Sequence, residues 1–265
     1  MRHCVRLILF SFAILEVACA VDVGQDSADP AAGQEVTARQ DAFSAQWNFS
    51  WGVTQPSSIV LGPNNDRTCF LTGMVGDLGN NGSVGVDISG ANWVLNVNPE
   101  GSPLGAYARC VNAVANRTAD VSWQTGERAV DIAVAAPHRQ CFLAGLAANT
   151  HGVSNRGFRD EFDDVQVQKQ GSTWLLGGHQ SGGVIAKAAC VDITTDVGSW
   201  LWIAGDNTRK DPMASNPGDV TCFLTGIGGD FSKGDWDDGA FITEEKGQFF
   251  MNTKNRKRGW ATCAR

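Results

Sequence analysis

No segment of this chain is apolar for the roughly 20 residues that a membrane-crossing helix requires, and apolar residues at helical spacing are never sustained for three turns. The first absence predicts a mature chain that does not span a membrane, and the second argues against a helical domain. H-E-x-x-H, C-x-x-C and P-loop signatures do not occur, which removes the zinc-peptidase, zinc-module and P-loop nucleotidase classes. The Q-x-W phrase of ricin-type trefoils is missing too, and the internal period is too long for a WD or kelch blade. Positive charge is scarce: 21 Lys and Arg stand against 28 Asp and Glu, a net charge of −7 that becomes −8 once residues 1–20 are removed. That balance argues against nucleic acid as a partner.

Those first residues form a leader. Met1-Arg-His-Cys-Val-Arg6 is basic, Leu7 to Leu15 is uncharged, and Ala18-Cys19-Ala20 is a small-residue cleavage site, together the pattern of a secretory signal over 1–20. Leu15-Glu16-Val17-Ala18-Cys19 also resembles a degenerate lipobox, with Glu16 where such motifs carry an apolar residue. Plain secretion and acylation of Cys19 are both open, and a lipid on Cys19 would be the one attachment to a membrane. Residues 21–46 are acidic, alanine-rich and almost free of large apolar side chains, so they cannot offset their ordering entropy and read as a flexible tether.

What the rest of the chain has is repetition. Cys69-Phe-Leu-Thr-Gly73, Cys141-Phe-Leu-Ala-Gly145 and Cys222-Phe-Leu-Thr-Gly226 recur at a period of roughly 70 to 80 residues. Trp51 and Trp123 precede the first two of these cysteines by 18 residues, and Trp202 precedes the third by 20. Downstream of the phrase come a glycine and an aromatic (Gly90 and Trp93, Gly171 and Trp174, Gly247 and Phe250), and each copy closes on Ala108-Arg-Cys110, Ala188-Ala-Cys190 or Ala261-Thr-Cys263. The repeats are drawn at 47–112, 113–192 and 193–265. Two cysteines per repeat in an exported chain predict Cys69 with Cys110, Cys141 with Cys190 and Cys222 with Cys263, a choice among fifteen pairings made by the repeat itself. Period-two alternation between Gly, Asn, Asp and Pro clusters predicts an all-β chain of about sixteen strands. Two arrangements satisfy it, three sandwich-like modules in tandem or one closed pseudo-threefold assembly. The short linkers with apolar residues favour close packing of the three.

The connection after C-F-L-x-G differs most between copies. It holds Asp77, Asn80 and Asn81 in the first, His151, Phe158, Asp160 and Asp163 in the second, and Asp230, Asp235, Trp236, Asp237 and Asp238 in the third. Carboxylates and amides hydrogen-bond sugar hydroxyls while an aromatic ring packs on a sugar face, and clustered carboxylates hold calcium through oxygen. The same residues also suit plain hairpin turns. No cofactor is expected, calcium being the single exception these loops would accommodate. Gly178-His179-Gln180-Ser181-Gly182 is only faintly like a hydrolase nucleophile turn and lacks the strand-turn-helix context. Lys254, Arg256, Lys257 and Arg258 read as a solvated basic loop. Asn48, Asn81 and Asn116 open N-x-S/T sequons that a eukaryotic secretory pathway would glycosylate, a cue at odds with a bacterial lipobox. The reading that results is an exported, non-catalytic binding protein for carbohydrate or a cell-envelope polymer. Its alternatives are a secreted hydrolase using loop carboxylates, as in Asp160 with Asp163 or Asp235 with Asp238, and a purely structural or protein-binding surface module. The sequence carries no sign of oligomeric state.

Overall fold

Alternating apolar and polar residues bounded by turn formers give eighteen strands and, among the described residues, no helix. A computed structural model describes residues 46–51, 57–78, 81–100, 103–112, 116–148, 157–179, 182–193, 196–203, 209–215, 220–231, 239–255 and 257–265, all within one compact unit, Arg39–Arg265. The expected leader, Cys19 and the tether as far as residue 45 lie outside them. Around the first copy of the phrase run β1 (Gln46–Trp51), β2 (Ser58–Pro63), β3 (Thr68–Gly76), β4 (Ser83–Ser89), β5 (Asn92–Asn98) and β6 (Leu104–Val111). The second set is β7 (Val121–Gln124), β8 (Val130–Val134), β9 (Arg139–Ala148), β10 (Asp164–Gln170), β11 (Thr173–His179) and β12 (Val184–Asp192). The third is β13 (Asp196–Ile203), β14 (Arg209–Ser215), β15 (Thr221–Gly228), β16 (Gly239–Glu245), β17 (Gln248–Thr253) and β18 (Arg258–Ala264).

These strands form three six-stranded sheets, ordered β1-β6-β3-β16-β17-β14, β13-β18-β15-β10-β11-β8 and β2-β5-β4-β9-β12-β7. Every sheet joins the first, sixth and third strands of one module to the fourth, fifth and second strands of another. The joints are β3 with β16, β15 with β10 and β9 with β4, so module 1 pairs with 3, 3 with 2 and 2 with 1. Within a module the two half-sheets face each other over their own core. Leu71, Ala108, Val86, Leu95 and Trp93 meet in the first module; Leu224, Ala261, Ile242, Phe249 and Met251 meet in the third. The molecule is thus three small sandwiches whose otherwise open β3-type edges are paired with a neighbour, closing a ring.

The repeated pentapeptide now has a role for each of its residues. Its cysteine lies directly opposite the second cysteine of the module, as Cys69↔Cys110, Cys141↔Cys190 and Cys222↔Cys263, and all three pairs are disulfides. Each closes a span of 41, 49 or 41 residues, a constraint that stabilises by about 4 kcal/mol in the chain-entropy model. Its phenylalanine, on the opposite face of the strand, points to the centre of the ring. Phe70 lies 5.0 Å from Phe142 and 5.1 Å from Phe223, and Phe142 lies 5.7 Å from Phe223, each ring buried. Val111, Val191 and Ala264, the residues after the second cysteines, complete this axial core. The leucine returns to the module core, and the fourth residue (Thr72, Ala144, Thr225) is the extra residue of a β-bulge in all three copies. The glycine sits at the joint, where Gly73 pairs with Phe241, Gly145 with Gly85 and Gly226 with Gln166.

One landmark shifts by a residue. In the first two modules the two-residue loop between the fourth and fifth strands places its glycine first (Gly90 and Gly171, both φ 60°), but in the third both Lys246 (φ 52°) and Gly247 (φ 74°) are left-handed and the glycine is second. The register partner of Trp93 and Trp174 is therefore Phe249, fully buried in the core, not Phe250.

Candidate functional site

Because the third and fourth strands of a module belong to different sheets, the connection between them must pass from one wall of the ring to the next. The described roots of the three connections meet. The Leu78 N–H donates to the Phe231 carbonyl (3.1 Å), and the Phe231 N–H donates to the Phe158 carbonyl (3.1 Å). The Gly229 N–H donates to the Asp163 carbonyl (2.8 Å), and Gly157 packs against the Leu78 carbonyl so closely that a Cβ there would lie 2.7 Å from it. Leu78, Phe158 and Phe231 are all buried, the two rings edge-on at 5.5 Å. One residue from each module thus ties the three loops into a common base.

The candidate residues divide around this base. Asp77 is half-buried and its N–H donates to the Pro103 carbonyl (2.6 Å). Asn81 is exposed with φ 72°, a left-handed turn residue. Asp230 is half-buried, and its carbonyl accepts from the Lys257 ammonium. Asn80, His151, Asp235, Trp236, Asp237 and Asp238 lie outside the described residues.

Two candidates turn inward. Phe158 has no exposed surface, so its ring is part of the loop base and is not offered to a ligand. Asp163 is fully buried, and its carboxylate accepts from the N–H groups of Arg159 (2.6 Å) and Asp160 (3.3 Å). Asp160 answers from the other end of the same turn, its Oδ1 accepting from the N–H groups of Phe162 (2.7 Å) and Asp163 (3.1 Å). The pair that resembled an acid and a nucleophile builds a turn. What that turn displays is Phe162, 66 % exposed. No periodicity separates Phe158 from Phe162; the signal was Asp160, an Asx residue two positions before the displayed ring.

The basic run is also more structural than its composition suggested. Lys257 is buried, with its ammonium on the Asp230 and Asn255 carbonyls and 5.0 Å from the centre of the Phe231 ring. Arg258 donates to the Asp163 carbonyl (2.8 Å), lies 3.6 Å from the Asp164 carboxylate and packs over Trp260. Arg258 locks the third module to the second, while Lys257 ties the third module's own loop root at Asp230 and Phe231 to its last hairpin. The equivalent joint of the first and third modules holds Arg109 against Glu244 (2.7 Å) and over the Phe249 ring (4.4 Å). Burial pushes this guanidinium's pKa down while Glu244 pulls it back up.

His179, part of the serine-bearing turn, is exposed at the end of β11, and its N–H donates to Asp164 (3.1 Å). Among the described residues no three His, Cys, Asp or Glu side chains converge to hold a metal ion; the acid-rich 232–238 stretch lies outside that set. No protein-family model matches the chain, and a search of curated proteins returns no significant match.

Proposed function

We propose that this is an exported, non-catalytic binding protein that recognises carbohydrate or another cell-envelope component through the loops gathered at one end of the ring. The observation that carries the reading is the common base formed by Leu78, Phe158 and Phe231, which gives three polar, Asp- and Asn-rich loops of different sequence a single rigid support. Variable loops on an invariant scaffold are the usual arrangement for recognition, and a pre-ordered base lowers the entropy lost on binding. Phe162 supplies an exposed ring beside the carboxylates. Three disulfides suit an oxidising compartment, in keeping with the leader and with either a secreted or a Cys19-anchored product.

The test is binding of the disulfide-bonded chain from residue 21 onward to immobilised glycans and envelope polysaccharides, with calcium and again with chelator, for the wild type and Phe162→Ala. The expected result is saturable binding to a subset of glycans that F162A weakens; loss in chelator would assign the 232–238 acids to calcium. No binding in either condition would overturn the reading and bring forward a structural or protein-binding role.

A further inference from the structure

The inner face of the fourth strand in each module is apolar (Val84 and Val86, Val165 and Val167), so Ser83, Gly85 and Asp87 on β4, and Asp164, Gln166 and Gln168 on β10, face outward. A furrow opens over each of these rows. The one over β4 has a volume of about 190 Å³ and lies across the joint between modules 1 and 2. Its floor is the glycine pair Gly85↔Gly145, extended by Ala147 and Ile185, and its rim carries Asp87, Asn96 and Lys187. Asn96 donates to Asp87 (2.9 Å), and the Lys187 ammonium stands 3.8 Å from the other carboxylate oxygen. The furrow over β10 has a volume of about 140 Å³, with Gly177 in the place of Asn96 and a rail of amides in which Gln168 donates to Gln166 (2.5 Å) and Gln166 to Asp164 (3.3 Å). In the third wall the same place is filled, because Phe241 stacks on Tyr107 at 5.0 Å across Gly73.

We propose that the two open furrows are sugar subsites, each holding one polyhydroxylated ring, separate from the loop end and related by the repeat. Three features select that ligand class. Each rim offers donors and acceptors together, as a hydroxyl needs, and one hydrogen bond and one ion-pair contact leave the Asp87 carboxylate with acceptor capacity to spare, since it has about four lone-pair sites. The rim charge of Asp87 is balanced by Lys187, which disfavours an anion and leaves neutral ligands preferred. The volumes fall below the roughly 300–1000 Å³ of drug-sized sites, which suits a single ring lying on a flat glycine floor.

The experiment is an amide NMR titration of the disulfide-bonded chain with a panel of neutral monosaccharides and their short oligomers, on the wild type, Asp87→Asn and Gln166→Ala/Gln168→Ala. All these changes are outward-facing, and the spectrum reports directly whether each variant is folded. For at least one sugar the expected result is a shift of the Gly85, Asp87, Asn96 and Gly145 amides that D87N weakens about tenfold, the loss of one charged hydrogen bond, while the β10 furrow keeps its wild-type response. F162A should leave both furrows unaffected, so failure of the loop reading and failure of this one are distinguishable. Shifts confined to the loop base, shifts indifferent to D87N and to the glutamine changes, or no shift with any sugar would each overturn the proposal.

Discussion

Adding one methyl group to the glycine of each C-F-L-x-G phrase distinguishes a closed ring from a string of modules by the sign of its effect. If the third strand were an open edge, alanine there would meet solvent and would stabilise by about 0.4–1 kcal/mol through the unfolded chain alone. In the ring the new Cβ meets the neighbour's backbone. At Gly73 it would lie 2.7 Å from the Phe241 Cα, at Gly226 2.9 Å from the Val165 carbonyl oxygen, and at Gly145 3.0 Å from the Val84 carbonyl oxygen. Backbone atoms cannot swing aside, so the cost is that of overpacking, about 1–3 kcal/mol, and it should fall in the order G73A, G226A, G145A. For a domain of this size each kcal/mol lowers the melting temperature by about 2–4 °C, so G73A should melt about 8 °C below wild type and G145A about 3 °C below. Urea unfolding of the oxidised variants reads the same differences at constant m-value. A stabilising effect at any of the three, or G145A as damaging as G73A, would refute the closed joints.

Removing the charge at the joint of modules 1 and 3 is the next perturbation. Glu244→Gln leaves the Arg109 guanidinium, 3 % exposed, without its carboxylate, and should cost about 1–3 kcal/mol in urea unfolding, nearer the lower figure because Glu244 is one-third exposed. Tyr107, the only tyrosine of the chain, has its phenol pKa raised by burial. Ultraviolet titration should find it ionising above the usual value of about 10, and stability should hold below that value and fall as pH rises through the folded one, a dependence that Tyr107→Phe abolishes. Replacing Cys69 and Cys110 together by alanine should cost about 4 kcal/mol. Since total stabilities run to about 5–15 kcal/mol, full reduction of all three bridges should leave the chain unfolded by circular dichroism.

Much of the architecture was legible because it is written three times. The all-β character followed from alternation, and the disulfide pairs followed from two cysteines recurring at matched landmarks; the cross-strand register of Cys69 with Cys110 is what that recurrence encodes. The short apolar linkers pointed to close packing of the three modules, but the pairing of the joints was not legible, because nothing local in β3 says which fourth strand covers Gly73. The sandwiches exist and the ring closes them. Phe249 was missed in favour of Phe250 because the glycine of a two-residue loop occupies either central position depending on turn type. Phe158 and Phe162 share one loop, and only tertiary packing buries the first against Phe231 and displays the second. Lys257 escaped for a similar reason: four cations in five residues look solvated until the loop base places carbonyls and a ring around one of them. The furrows over β4 and β10 had no signature in the sequence: the first is built by an outward row of module 1 against module 2, and the second by outward residues of module 2 from β10, β11 and Ala129, which is distant from both in the chain.

The central claim is that the three repeats meet on one axis, and the measurement that tests it most directly is nuclear Overhauser contact between the rings of Phe70, Phe142 and Phe223 in a phenylalanine-labelled, oxidised chain. Each ring is assigned by its Phe→Leu variant. The ring predicts all three pairwise contacts, from centroid separations of 5.0, 5.1 and 5.7 Å. Three sharp, folded phenylalanine signals with no contact among them would contradict it.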